Sequence, residues 1–483
     1  PLPSSSCRQY LGSRQACEPM GGLVTSRHGS RHHAERYGAS ASKHKQADGG
    51  LSVVDLEARR FSTETGSTVA TERDQEPRDA AGPLPLPRRL EHKDARVRKK
   101  AVLAVGRLGT KATPELVNAL AGLLKDSDAG VRRAAVSSLA RLVDLAQPHV
   151  RDVALLLDDV DASVRAAAAS ALLSLSTAAA AAHALGLARL LEDGNAAVRK
   201  AAAETLKVLG EAAAPQAGAY LAKQLVHPHD HVRTRAAAIL DGMQLGAAGA
   251  QIAPVLAGQL RSPDAEVRMR ATKLLGNMGD SPAAKSHAGA LAQLLQDKNP
   301  RVREKAVLAL GRLGYEASGP HAAGIAWLTD DADAAVRLAA CTAMKWMGAE
   351  AAPFAVRLLP RMQDADLGVR REAAEAFDWM GRESAPHAAA LAVSLGDQDA
   401  EVRRSIAQCF GHMYSQAAPH ADALAALTKD AEAEVRIAAL LALSRTGAAA
   451  EVHRQAIQRL MDDPSPEVRA VANKVLSCME EDS

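Results

Sequence analysis

Asp397-Gln398-Asp399-Ala400-Glu401-Val402-Arg403 is the stretch whose reading decides the fold, because it comes back again and again along the chain. Its closing Val-Arg pair recurs at Arg98, Arg132, Arg165, Arg199, Arg233, Arg268, Arg303, Arg337, Arg370, Arg403, Arg436 and Arg469, at spacings of 33 to 35 residues. A fixed period of this size marks stacked supersecondary units, each too small to bury its apolar face alone. The frame around each pair is constant. Three residues after the Arg stands Ala in eleven of twelve units, Ile406 being the exception. Seven after it comes a large apolar residue, from Val105 to Leu476, and ten after it Leu or Met everywhere but Thr446. With the preceding Val, these positions share one face of a 3.6-residue helix. Four before the Arg, Asp128, Asp161, Asp264, Asp333, Asp366 and Asp399 predict helix N-caps. Eleven after it, Gly109, Gly210, Gly279, Gly314, Gly348, Gly381 and Gly447 predict helix stops in a left-handed conformation. Each unit therefore holds a helix of about fourteen residues.

The rest of each unit is a second apolar segment, as at residues 115–125 and 387–395, which reads as a shorter helix. Pro148-His149, Pro320-His321, Pro386-His387 and Pro419-His420 lie near its start, where Pro at a first helical position loses no hydrogen bond. No strand signal appears, and the apolar content is carried largely by Ala, so the chain reads as all-α. Over 483 residues the repeat overrides any division into several cores and predicts a single solenoid, in which each unit touches mainly its neighbours. The boundaries read as a tail and Pro-rich linker over 1–88 and about twelve helix–turn–helix units over 89–483, starting from a helical stub at 90–92. The tail is rich in Ser, Arg and His without apolar periodicity, which predicts disorder. Its first fifty residues hold seven Lys or Arg against three acids, a composition that suits an organellar transit peptide as well as a plain solvated tail. Arg59-Arg60-Phe61-Ser62 fits a basophilic kinase site, and Pro83, Pro85 and Pro87 read as a stiff linker.

The frame Asp-x-Asp-x-x-Val-Arg-x-x-Ala-x-x-x-Leu-x-x-Leu-Gly resembles HEAT repeats, in the short form found in phycobilisome lyases. The resemblance covers about four fifths of the chain, and tetratricopeptide and ankyrin signatures are absent from it. It implies a right-handed α-solenoid whose second helices line a concave side. It also implies a hydrogen-bonded ladder between units, to which Arg403, Asp399 and their equivalents are assigned. A related enzyme, deoxyhypusine hydroxylase, binds two irons through His-Glu pairs; this chain has no His-Glu dipeptide, so that activity does not carry over.

Other candidate chemistry is sparse. Repeated His at the first helices (His149, His183, His287, His321, His387, His420, His453) stand too far apart between packed helices, roughly 8–10 Å, to share a metal ion, and read as helix-start packing. His227-Pro228-His229-Asp230-His231 is the one local cluster of metal-ligand types, and it also reads as an exposed turn. No phosphate loop, nucleophile motif or cofactor signature appears. Five Cys show no metal or disulfide spacing; Cys341, Cys409 and Cys478 read as buried residues of a reducing compartment. Net charge is +3, too small by itself to mark a nucleic-acid binder, and no apolar run reaches the roughly 18 residues of a membrane span.

Two surface features remain. Positions +1, +2, +5, +8 and +9 after the motif Arg, read as solvent-facing, carry twelve basic residues against three acids in the first seven units, among them Lys100, Arg133, Arg141, Arg270 and Arg312. Such a stripe attracts acidic protein segments or phosphate backbones, or is simply a solvated face. All three Trp lie within residues 327–379; Trp346 and Trp379 share position +9 with His412, and with Arg371 and Arg404 they form the candidate binding patch. Packing between second helices is the plainer reading of the Trp pair. The sequence thus predicts a non-catalytic scaffold that binds protein partners, possibly acidic ones, on a concave face, in the cytoplasm or in an organelle. Lyase or chaperone activity of the phycobilisome type, and nucleic-acid binding through the basic half, are the alternatives.

Overall fold

The computed structural model describes residues 78–79, 82–243, 245 and 248–481. The tail readings, from the transit-peptide-like composition to the kinase-type sequence at 59–62, lie outside the described residues. A two-residue antiparallel pair, Arg78–Asp79 with Gly82–Pro83, precedes the solenoid. Each Val-Arg motif then sits in the first turn of a helix. These are α1 (Ala95–Leu108), α2 (Ala129–Leu142), α3 (Ala162–Leu175), α4 (Ala196–Leu209), α5 (Asp230–Gly242) and α6 (Ala265–Asn277). They continue as α7 (Pro300–Arg312), α8 (Ala334–Met347), α9 (Leu367–Met380), α10 (Ala400–Met413), α11 (Ala433–Leu443) and α12 (Pro466–Glu481).

The six predicted Asp caps all form; Asp161, for instance, accepts the N–H groups of Ser163 and Val164. Asp94, Asn195 and Asn299 cap in the same way. The core face is as the frame requires. The +3 row is fully buried in every unit, and the +7 row is buried from Val105 to Leu443. One apolar core runs from Leu90 to Leu443, and a smaller cluster closes the last unit.

All seven predicted Gly stops have positive φ, between 50° and 80°. Five of them have ψ between −124° and −132°, which is the mirror image of extended backbone and not the left-handed helical region the sequence suggested. The chain uses this geometry to turn sharply out of the long helix. Val143 (φ 32°) and Tyr414 (φ 54°) occupy the same register without a Gly, so two units carry strain the others avoid.

The first helices depart from the sequence reading. They are broken into 3₁₀ and α segments, such as Tyr414–His420, Ala421–Ala426 and Leu427–Lys429. Pro148, Pro386 and Pro419 lie inside the leading 3₁₀ segments, not at a first α-helical position. Pro supplies no N–H and crowds the turn before it, so the α-helix restarts only after the following His. All seven His of the repeated set sit at that restart, with φ near −100° to −113°. Two of them reach back one unit, His149 to Asn118 at 2.9 Å and His453 to Asp422 at 3.3 Å. The N-terminal stub expected at 90–92 lies at Leu86–Leu90, which places Pro87 in its first turn.

The ladder between units is present, with a different partner from the one assigned. Arg403 does not pair with Asp399. Its Nη1 donates to the carbonyls of Asp397 and Gln398 in its own turn, and its Nε and Nη2 donate to Asp430 of the next unit at 2.7 and 2.9 Å. Asp399, four before the Arg, caps its own helix; the residue six before the Arg receives the guanidinium of the preceding unit. Nine such links form among the described residues, from Arg98–Asp126 to Arg436–Asp463. Burial, the largest single effect, pushes these carboxyls up, but the guanidinium bond, the turn N–H and the arginine charges together outweigh it and hold Asp126, Asp159, Asp193, Asp297, Asp331, Asp364 and Asp430 below the ordinary range.

The ladder lapses twice in succession. Six before Arg233 stands His227, and six before Arg268 stands Ser262. α5, which lies between these two gaps, packs less closely on α4 and α6 than any other pair of successive long helices.

Two measurements check this account. Asp297→Ala strands the Arg268 guanidinium and is expected to destabilise the chain by about 2 kcal/mol in urea unfolding. Because the ladder carboxyls are depressed in the fold, their stabilisation is fully present above the unfolded value of 3.8. It is lost as pH falls through that value and below, so the urea midpoint should be flat above about pH 5 and drop steeply below about pH 4. Separately, Val143→Gly relieves strain at an exposed site and should raise the midpoint by the equivalent of about 1 kcal/mol; an unchanged or lower midpoint would show that Val143 carries no strain.

Candidate binding surface

Position +9 of α8, α9 and α10 brings Trp346, Trp379 and His412 onto three successive helices that pack side by side. The indoles are 42% and 43% exposed, so each is half seated in the seam and half available. Trp346 lies against Gly311 of α7. A Cβ at Gly311 would stand 2.7 Å from Trp346 Cε3, so this close approach requires glycine. Charged groups tie the same seam together. Lys345 bridges to Glu372 at 2.7 Å and Glu375 at 2.9 Å on α9, and His412 Nε2 lies 3.3 Å from Asp378 Oδ1.

Arg371 and Arg404 are not brought to the indoles. They stand at +1, eight residues before the ring position, which is about 12 Å along a helix. Arg371 holds the next unit's Asp399 with two bonds, at 2.9 and 2.6 Å, and Arg404 pairs with Glu401 and Gln408 of its own helix. A cation over an aromatic ring does occur nearby, at Trp327: the ring is 62% exposed and the Arg357 guanidinium lies 3.3 Å from its centroid. Nothing local in the sequence joins these two residues, thirty positions apart.

The basic stripe is less uniform than its residue list. Lys100, Arg133 and Arg141 are exposed along α1 and α2. Arg270 is paired with Glu266 at 2.8 Å, and Arg312 donates to Asn277 at 2.9 Å. Lys273 and Lys305 are paired with Asp241 and Glu304. Position +8 faces solvent at Lys207 and Asp241 but not where it is glycine. Gly106 and Gly276 approach Ser138 and Ala309 of the next helix so closely that a Cβ would sit 2.6 to 2.7 Å from them. These glycines lie in the seam between long helices, where small residues let the backbones meet.

His227, His229 and His231 do lie together, with successive ring centroids 5.3 and 5.6 Å apart. Their nitrogens are partly engaged, His227 Nδ1 accepting the His229 N–H and His227 Nε2 lying 3.6 Å from Glu192. Among the described residues no group of three or more His, Cys, Asp or Glu is placed to hold a metal ion. Cys341 and Cys409 are buried, and burial pushes both thiols far up, away from nucleophilic chemistry; Cys478 is only partly buried. No helix among the described residues is long and apolar enough to cross a membrane. What the surface offers is recognition chemistry: half-exposed indoles, exposed guanidinium and ammonium groups, and edges of helix seams.

The sequence reading named Arg199, Arg233 and the turn at His227 without joining them into one site, and it passed over Ser262. The signal was in the column six before each motif Arg, which is Asp in nine units of twelve. Attention to the column four before, with its plainer capping role, hid it.

No curated protein matches the chain. Among solved structures, the karyopherin Kap121p bound to the extreme C-terminus of the protein phosphatase Cdc14p superposes with a TM-score of 0.55 at 15% identity, covering 82% of this chain and 49% of that one. Kap121p bound to Nup53p gives 0.55 at 15%, covering 82% and 48%, and Kap121p alone 0.54 at 15% with the same coverage. The chain thus spans about half the length of these relatives, and at such identity the likeness is one of fold. A family model for HEAT repeats matches residues 84–173, 252–327 and 388–477, together just over half of the chain. The longest unmatched interval between those stretches contains the turn at His227, where the ladder first lapses. The chain belongs to the HEAT-repeat family, and its twelve motif helices build an α-solenoid.

Proposed function

We propose that this solenoid is a protein-binding scaffold whose partner docks along the concave side lined by the long helices. The observation that carries the reading is the register of Trp346, Trp379 and His412, two half-exposed indoles and an imidazole at one position of three successive helices. Large aromatic side chains at this exposure supply contact area at little entropic cost, which is why they concentrate at interface hot spots. The solved relatives support the reading by analogy, since Kap121p is described bound to segments of other proteins. Exposed Lys100, Arg133 and Arg141 at the other end favour a partner with acidic stretches.

The same basic residues are what a nucleic acid would use, and salt separates the two readings. A phosphate backbone held by several Lys and Arg is released steeply as salt rises, whereas burial of indoles is not. The full chain and its Trp346→Ala/Trp379→Ala variant, matched by circular dichroism, would be immobilised and exposed to extract from the source organism at 50 and 200 mM salt. The scaffold reading expects a defined protein retained at both salts and lost by the variant. Retention of nucleic acid alone, released at the higher salt and indifferent to the Trp changes, would overturn it.

A further inference from the structure

The residue six before each motif Arg does two jobs. Asp297 accepts the N–H of Asn299 within its own turn and receives the Arg268 guanidinium from the unit before. His227 and Ser262 keep the first job, accepting the N–H groups of His229 at 3.1 Å and Asp264 at 3.3 Å. Neither is a carboxylate, so the second job is left undone. His92 shows that the first job alone is enough where no motif Arg precedes: its Nδ1 accepts the Asp94 N–H and the first turn closes normally.

Two guanidinium groups therefore face the next unit without its aspartate. Arg199 Nη1 is held by the carbonyls of Asp193 and Gly194, but its buried Nε finds no partner. Arg233 Nη1 is held by the carbonyls of His227 and Pro228 at 2.8 and 2.9 Å, the same anchoring seen in every ladder Arg but Arg370, which has one carbonyl. Its Nη2 reaches only Asp230 of its own helix, at 3.0 Å, a side chain 75% exposed. At Arg233 the missing group leaves room. A cleft of about 520 Å³ opens there, lined among others by Arg233, His227, Pro228, Gln259, Ser262 and Pro263. Asp264 also borders it, but its carboxylate caps α6 through the Glu266 N–H. A second guanidinium, that of Arg261, also lines the cleft. The His231 imidazole is held below its ordinary range, by desolvation first and then by Arg199 and Arg235.

We propose that the cleft at Arg233 binds a carboxylate side chain of an acidic peptide segment, in the place an aspartate of the next unit fills elsewhere in the ladder. The neighbouring units specify the ligand chemistry. Nine equivalent guanidinium groups receive a carboxylate at 2.6 to 3.3 Å, eight of them through both Nε and Nη2. A planar fork already oriented by two backbone carbonyls loses little freedom when the anion arrives. Asp230 competes for Nη2 alone, and its exposure makes it a weak competitor. The inference rests on the scaffold reading only in taking the occupant to be a protein segment, and the site is separate from the indoles.

The test uses the full chain and a fluorescent, acetylated hexaglutamate peptide at low salt. Ser262→Asp supplies the missing carboxylate. It should raise the unfolding temperature and weaken peptide binding at least about tenfold. Arg233→Gln should weaken it similarly, while Trp346→Ala/Trp379→Ala should leave it unchanged. Inorganic phosphate, at matched ionic strength, should not displace the peptide. Equal affinity of the native chain and Ser262→Asp would overturn the site. Loss of binding in the Trp variant would move it to the aromatic patch and equally overturn it. Displacement by phosphate, or phosphate binding without saturable peptide binding, would overturn the carboxylate as the occupant.

Discussion

Each ladder arginine ties three pieces of chain together through one rigid group. In Arg303, as in most of them, two backbone carbonyls of its own turn fix Nη1 and the carboxylate of the next turn takes Nε and Nη2; Arg370 is the exception, with one carbonyl and Asp397 3.3 Å from its Nε. The aspartate in turn holds the N–H two residues on, as Asp331 holds that of Asp333. A turn that would otherwise expose four or five polar groups between two helices is thereby closed, and its position is fixed relative to the unit before it. Hydrogen bonds of this kind, with both partners ionised and mostly shielded from water, are among the stronger ones available to a protein. They also set register, because a slip of one residue would break all of them in a unit.

Around that constraint the remaining features fall into place. The buried +3 alanines and the glycines at +8 let successive long helices approach until their backbones nearly touch, as Gly276 does at Ala309. Most long helices end at a positive-φ residue, and the first helix of the next unit is broken, in several units by Pro, so that it packs across the seam without overrunning it. Surface character is then free to vary between units. Indoles mark the surface at α8 and α9, exposed cations at α1 and α2, and the ladder itself is interrupted around α5.

Much of this was legible in the sequence because a repeat shows each constraint twelve times. The core rows, the Asp caps and the Gly stops all stand at the positions their columns gave. Other features were hidden for physical reasons. The spacing of Asp and Arg cannot say which of two aspartates, two residues apart, an arginine from another unit will reach; that depends on the rise between units. Proline in a first helix is compatible with an α start or a 3₁₀ lead-in, and only packing across the seam selects the latter. At the candidate surface, the alignment of Trp346, Trp379 and His412 followed from the period, whereas the use of Arg371 and Arg404 in ion pairs was invisible, because their partners were chosen by side-chain reach. The cleft at Arg233 was legible in principle, as two missing carboxylates in one column.

Solenoid stability is a sum of unit and interface contributions, so a local weakening of the interface should be visible locally. Hydrogen exchange of the full chain at neutral pH, read helix by helix, tests most directly whether the Arg–Asp ladder is what holds neighbouring units in the stack. The account predicts that amides of α5, flanked by both ladder gaps, exchange markedly faster than those of α7 and α10, where the ladder is intact on either side. Equal protection of α5, α7 and α10 would contradict it, and would place the stacking energy in the apolar seam alone.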